Sequence, residues 1–325
     1  MRSLTHVFAA LLVAVAVVAC GSDSSSSSST PTSTPAQSTP ATGQIKKNAA
    51  NASVSLKIGS KNFTEQKVLG EIYAQGLAAA GYKTTTDLNL GDEQTALKAL
   101  KGGQIDAYPE YTGTALLSFF KTPASELPKD PQAAYEKAKA DFEKEGLTAF
   151  PPTPFTDSNE VAVTQATAQK LGLKNISDLS AKAKTLTLYG TPECRQRMDC
   201  LLGLEKIYGL KFKKFVPVAP DQRHEVLQSG RADVSIVFTT DPQIKRNKEV
   251  LLEDDKGMFP PYNSTLVMKQ ATAEKAGADL PKVLDLIQKP LTDDAMQELD
   301  ARVDLDKKEP AEVAKEYLSE TGLVK

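Results

Sequence analysis

Leu100-Lys101-Gly102-Gly103-Gln104-Ile105-Asp106-Ala107-Tyr108-Pro109-Glu110-Tyr111-Thr112-Gly113-Thr114 has a counterpart further along the chain. That counterpart is Leu227-Gln228-Ser229-Gly230-Arg231-Ala232-Asp233-Val234-Ser235-Ile236-Val237-Phe238-Thr239-Thr240-Asp241. In both, a Gly ends a helical segment, an Asp follows three residues later, and an aromatic-Thr pair begins five residues after the Asp. Each reads as a helix, a C-terminal Gly, a short strand and an aromatic where the strand ends. Ligands of open α/β sheets collect beyond the carboxyl ends of strands. Two such ends predict two α/β lobes facing each other across one small-molecule cleft. Chance similarity between common helix–strand units is the competing reading.

Outward from the first copy, 54–58 alternates and is β-rich until Gly59-Ser60-Lys61-Asn62 breaks it. Asn62 with Glu65 has the form of a capping box, and Val68, Leu69, Ile72, Leu77 and Ala80 follow at helical spacing. This strand–turn–helix unit places Lys61 at a helix N-terminus, where an anion is favoured. A strand over 84–90 and a helix over 93–101 lead into the repeated unit. Phe150-Pro151-Pro152-Thr153-Pro154-Phe155 is stiff and extended, and reads as a crossing between lobes. Thr239-Thr240-Asp241-Pro242 reads as the return crossing. Lobe I is therefore expected over 54–155 plus 241–325, and lobe II over 156–240.

The N-terminus supplies an address. An apolar run over 7–19 follows Arg2, too short for a spanning helix, and reads as a signal peptide over 1–19. Val17-Val18-Ala19-Cys20 resembles a bacterial lipobox, on which Cys20 is lipidated and begins the mature protein. Residues 22–42 are almost only Ser, Thr, Pro and Ala, with too little apolar surface to fold. A disordered tether is expected over 20–53, with a reach of roughly 30 Å. The mature domain then sits outside the cytoplasm, lipid-anchored to the outer face of the bacterial cell membrane.

The 39 Lys and Arg nearly balance the 41 Asp and Glu, so charge gives no case for nucleic acid. Cys194 and Cys200 are the only cysteines after Cys20. In an exported protein they read as a small-loop disulfide, with two free thiols or a metal pair as alternatives. His224 is the only histidine of the mature chain, which argues against a metal site. Neither a phosphate-cradling Gly loop nor a metal-ligand cluster is legible, so no cofactor is expected and an enzyme is disfavoured. Asp106 and Asp233 read as turn-fixing residues rather than as a pair sharing a proton.

Three motifs sharpen this. Gly59-Ser60-Lys61-Asn62-Phe63-Thr64-Glu65-Gln66, Tyr108-Pro109-Glu110-Tyr111-Thr112-Gly113-Thr114 and Leu252-Glu253-Asp254-Asp255-Lys256-Gly257-Met258-Phe259-Pro260-Pro261-Tyr262 resemble one family. It is the family of substrate-binding subunits of ABC importers for glycine betaine, choline, carnitine and related osmoprotectants. The resemblance covers essentially 54–325. It implies a two-lobed α/β fold of the type II periplasmic-binding-protein kind, closing by a hinge around the ligand. It also implies a monomer that captures a small osmolyte and delivers it to an ABC permease with its ATPase.

The family cages a trimethylammonium group in aromatic rings and holds a ligand carboxylate with a Lys, an Arg and a Thr. Matched motif by motif, the cage residues are Tyr111, Phe238 and Tyr262, and the carboxylate residues are Lys61, Thr114 and Arg197, with Arg195 the alternative to Arg197. A fourth cage tyrosine is replaced here by Asn159, which leaves the box weaker and more polar. A quaternary ammonium has no N–H to donate, so ring faces and shape must recognise it, at about 0.5–2 kcal/mol per desolvated face. The competing readings are a binding lipoprotein for an amino acid, polyol or aromatic compound, and a ligand sensor.

Overall fold

The computed structural model describes residues 43–325. The expected signal segment, Cys20 and the Ser/Thr/Pro stretch up to residue 42 lie outside the described residues. Residues 43–53, expected to belong to the tether, pack on the first lobe instead. Ile45 N–H donates to the Leu323 carbonyl (2.9 Å), and buried Asn51 donates to the Ala80 carbonyl and to Asp279 (both 2.9 Å). No helix among the described residues is long and apolar enough to cross a membrane.

The chain lays down β1 (Ser55–Gly59), β2 (Lys83–Asp87), β3 (Ala107–Tyr111) and β4 (Leu147–Ala149). It then forms β5 (Asn159–Val163), β6 (Thr187–Gly190), β7 (Lys214–Pro217), β8 (Val234–Phe238) and β9 (Val250–Leu252), and returns with β10 (Ser264–Lys269). These make two five-stranded sheets of the same design, ordered β2-β1-β3-β10-β4 and β7-β6-β8-β5-β9. In each sheet four strands run in one direction, and the strand at the fourth position, supplied by the chain as it leaves the hinge, is antiparallel to both its neighbours.

Apolar side chains cover both faces of each sheet. Leu56, Ile58, Leu69 and Ile72 lie on one side of the first, and Leu100, Leu116, Phe142 and Val267 on the other. Val161, Leu188, Leu204 and Val234 fill one face of the second, while Val226, Leu227 and Val237 fill the opposite face. Each fully buried Leu, Ile, Val or Phe contributes about 1.5–3 kcal/mol against exposure.

The repeat is structural. Gly103 and Gly230 both take left-handed backbone, at φ 77° and 70°, where a Cβ is unfavourable. Asp106 N–H donates to the Lys57 carbonyl while its carboxylate accepts the Lys57 N–H, both at 2.8 Å. Asp233 repeats this on Thr187, at 3.2 and 2.8 Å. Each aspartate thus ties the start of its central strand to the neighbouring strand, a clamp between strands where a turn-fixing role was expected.

Two expectations change. The return crossing does not lie at 239–242. β9 pairs with β5, Leu252 opposite Val161, so the second lobe's sheet extends to residue 252 and the chain crosses back over 253–263. Asp241-Pro242 opens a helix, Pro242–Asn247, because proline suits a first helical position as well as it suits a turn. Nor does Asn62 cap the first long helix. That helix, Thr64–Ala79, begins after Phe63 without a side-chain cap. Asn62 N–H is tied to the Gly91 carbonyl (3.1 Å), and Glu65 turns into the interior.

The two crossings pair at the hinge. Asp157 N–H donates to the Tyr262 carbonyl (3.1 Å), and Asn263 donates to the Phe155 and Thr153 carbonyls (3.0 and 3.2 Å).

Candidate functional site

The carboxyl ends of β1, β3, β6 and β8 meet between the lobes, around a cavity of about 40 Å³. All seven residues singled out from the sequence line it: Lys61, Tyr111, Thr114, Asn159, Arg197, Phe238 and Tyr262. Arg195 does not; it is exposed and stacks on Phe215, 4.7 Å from the ring centre.

The aromatic wall has one member more than the sequence reading supplied. Phe63, in the turn after β1, stacks on Tyr111 (6.2 Å between centroids, 21° between planes). It also meets Phe238 of the opposite lobe at 5.1 Å. Four rings therefore line one cavity: Phe63, Tyr111, Phe238 and Tyr262. Phe63 lies inside a quoted motif, but its neighbours there read as a helix start. Its role comes from the meeting of lobes, which no local pattern announces.

Asn159 is not a fourth wall. It opens β5 opposite Phe238, and its side-chain amide donates to the carboxylate and carbonyl of Asp199 (3.0 and 3.2 Å).

Each cation expected to hold a carboxylate already has one from the protein. Buried Lys61 pairs with buried Glu110, and its ammonium lies 4.4 Å from the Tyr111 ring centre. Glu110 also accepts from the Tyr108 hydroxyl (3.0 Å) and the Tyr111 N–H (2.7 Å). Arg197 presents its fork to Asp199, Nε at 2.8 Å and Nη2 at 2.5 Å. Its Nη2 is 3.4 Å from Thr114 Oγ1 and its Nη1 3.6 Å from Glu93, both across the cleft. The Tyr262 hydroxyl donates to Asp199 as well, at 2.5 Å. Burial pushes the Asp199 carboxyl up, but the adjacent guanidinium and tyrosine hydroxyl outweigh it and hold the group below the usual carboxylate range. Asp199 was missed from sequence; its partners Asn159 and Tyr262 stand 40 and 63 residues away.

Beneath the rings lies a second set of acids at the hinge. Glu65 accepts the Tyr111 hydroxyl, and Asp157 accepts the Thr240 hydroxyl (2.9 Å). Burial, with Asp241 nearby, pushes Asp157 up to about 7. Burial and then Asp157 raise Glu65 well above the ordinary range. Asp241 is different: burial opposes its charge, yet the Arg223 fork and His224 hold it well below.

Beside this site, in the second lobe, Cys194 and Cys200 are bonded, with Cα atoms 5.1 Å apart, closing the loop that carries Arg197. Among the described residues no group of three or more His, Cys, Asp or Glu is placed to hold a metal ion.

Comparisons with known proteins identify the family. Residues 54–320 match the family model described as the substrate binding domain of ABC-type glycine betaine transport systems. A glycine-betaine-binding protein of Pseudomonas aeruginosa is 32% identical over 280 residues, covering 83% of this chain and 88% of that protein. An ergothioneine transport permease/ergothioneine binding protein of Helicobacter pylori is 30% identical over 270 residues, covering 82% of this chain. This chain spans only about half of that longer protein, 48% of its length. A crystal structure described as that of a glycine betaine/carnitine/choline ABC transporter superposes with a TM-score of 0.66 at 27% identity, over 82% of this chain and 99% of that one. The chain belongs to the family of substrate-binding domains of ABC-type glycine betaine transport systems.

Proposed function

We propose that this protein is the extracytoplasmic binding subunit of an ABC importer and captures a quaternary-ammonium osmolyte between its lobes. One observation carries the reading: Phe63, Tyr111, Phe238 and Tyr262 converge on one cavity from both lobes. Ring faces are what a cation without N–H groups can use. Thr114, Arg197 and Lys61 form the polar end against which the ligand's tail packs. Lobe I supplies Tyr111 and lobe II supplies Phe238, so the ligand bridges them and stabilises the closed form that a permease reads.

The rest of the reading follows from the leader and the cysteines. Cys20 carries the lipid, the domain acts as a monomer, and the exported protein keeps the Cys194–Cys200 disulfide. Cys20→Ser should release the protein from the membrane fraction or leave the precursor uncleaved.

Calorimetry with choline, glycine betaine and carnitine tests the central claim. Saturable heat with at least one of them is expected. No heat with any quaternary ammonium, beside robust binding of an uncharged ligand, would falsify the cage.

A further inference from the structure

We propose that Phe63 is a specificity-determining residue: it closes the aromatic cage off from a second, polar chamber between the lobes, and so limits the ligand to an ammonium whose nitrogen carries nothing longer than methyl groups beside its tail. This rests on the quaternary-ammonium reading above and deepens it.

Two cavities lie side by side in the cleft. The cage has a volume of about 40 Å³ and the chamber about 280 Å³. Asn62, Phe63 and Pro220 line both, so these residues form the partition. Phe63 comes from lobe I and Pro220 from lobe II. The Phe63 ring reaches across to Phe238, 5.1 Å between centroids. Phe238 lines the cage and not the chamber; Arg223, 4.0 Å from the Phe238 ring centre, lines the chamber and not the cage. Two rings from opposite lobes therefore separate an aromatic space from a polar one.

The backbone of residue 63 is held without its ring. Asn62 N–H donates to the Gly91 carbonyl (3.1 Å), and the Phe63 carbonyl accepts the Lys67 N–H (3.2 Å). The half-buried side chain makes no capping bond to the helix Thr64–Ala79. What the ring does is stand against Tyr111, 6.2 Å between centroids, as a wall of the cage. The group it blocks is therefore one on the ligand nitrogen, since the tail packs against Thr114 and Arg197. A longer substituent there overlaps the ring, and a packed wall turns added atoms into strain.

Behind the ring, the chamber suits a polar group. Lys67, Asn89, Asp221, Gln243 and Asp304 line it. Gln243 Oε1 is buried and has no hydrogen-bond partner among the described residues, so a hydroxyl entering the chamber finds an acceptor. About 10–15 Å³ suffices for one water, so the chamber has room for a chain of several atoms.

Calorimetry on the purified protein decides it, with choline and an analogue in which one N-methyl group is replaced by 3-hydroxypropyl. The wild type should bind choline more tightly than the analogue by on the order of tenfold or more. Phe63→Ala removes a ring face and opens the cage to the chamber. It should weaken choline and raise the analogue relative to choline by on the order of tenfold. Phe63→Val removes less and should shift the ratio the same way by a smaller factor, which keeps the test available if the alanine variant does not fold.

A wild type that binds the analogue as tightly as choline overturns the inference, whether or not the variants fold. So do Phe63 variants that weaken both ligands by one common factor, since that marks a ring that only packs. Failure of both ligands to bind the wild type overturns the quaternary-ammonium reading itself, and this inference with it.

Discussion

The two lobes use one device to different ends. In each, a left-handed Gly and a ladder-joining Asp deliver an aromatic to the end of a strand, and a cation lies over its ring. In the first lobe the cation is Lys61, 4.4 Å from Tyr111, paired with Glu110 and lining the cavity. In the second it is Arg223, 4.0 Å from Phe238, paired with Asp241, and it does not line that cavity. Tyr111 donates its hydroxyl to Glu65, whereas Phe238 is a phenyl with no hydroxyl to donate. The repeat thus fixes where a ring stands, and the neighbours decide what the ring does.

The largest effect expected is on binding. Tyr111→Ala should cost about 1–3 kcal/mol of affinity for a quaternary ammonium, combining a lost ring face with lost packing. Phe238→Ala should cost less, about 0.5–2 kcal/mol, since this ring is half-buried where Tyr111 is buried. Titration calorimetry measures both. A larger loss at Phe238 would invert the ranking of the two lobes.

The second lobe's cation shares its partner with titratable groups, so stability should depend on pH. Asp157 faces Thr240, Asp241, Glu65 and Arg223, and its pKa is raised to about 7. His224 is also raised: burial opposes its charge, but Asp241 and Glu249 outweigh it. A group raised in the folded state stabilises fully below its unfolded pKa, and that contribution fades as pH climbs through the folded value. Asp157 therefore predicts stability falling between about pH 4 and pH 7, and His224 predicts a further fall above its ordinary imidazole range. Asp241 and Asp199, held low, lose their contribution only in stronger acid. Thermal melts across that range should show the slope, and Asp157→Asn should flatten it. An unchanged slope in that variant places the titration elsewhere.

Equivalent turns are built differently as well. After β1 the chain enters the long helix Thr64–Ala79 directly, whereas after β6 it runs through the short helix Pro192–Gln196 and the disulfide before the helix Leu201–Lys206. Removing the bond with a Cys194→Ser, Cys200→Ser pair should cost about 2 kcal/mol of stability. Affinity should fall through Arg197 while the Lys61 side is unmoved. Intact mass showing two free thiols in the exported protein would remove the basis for this difference.

What was legible in the sequence follows the same division. Tyr111 and Phe238 could be read because the Gly and Asp spacing is local and places a strand end. Lys61, Thr114, Arg197 and Tyr262 came with motifs shared with a family. Asp199 was not read: Arg197 stands two residues away, but Asn159 and Tyr262 reach the carboxylate only through the fold. The return crossing was misplaced for a similar reason. A strand over 250–254 is legible, but which sheet it joins is not: β9 pairs with β5 of the second lobe.

The smallest effect tests whether the repeat is more than a resemblance. Asp106→Ala and Asp233→Ala each remove one carboxylate that accepts a strand N–H at 2.8 Å. Each should lower unfolding stability by about 1 kcal/mol, the net value of one such bond. Neither carboxylate lines the cage, so ligand affinity should hold in both. The two sites lie in different lobes and share no partner, so the double variant should lose the sum to within about 0.5 kcal/mol. Urea titration of the wild type, both single variants and the double variant measures all of this. Equal and additive losses make the two aspartates one device used twice. A loss at one site alone means that only its own lobe depends on the bond, and the likeness of the two units stops at the backbone.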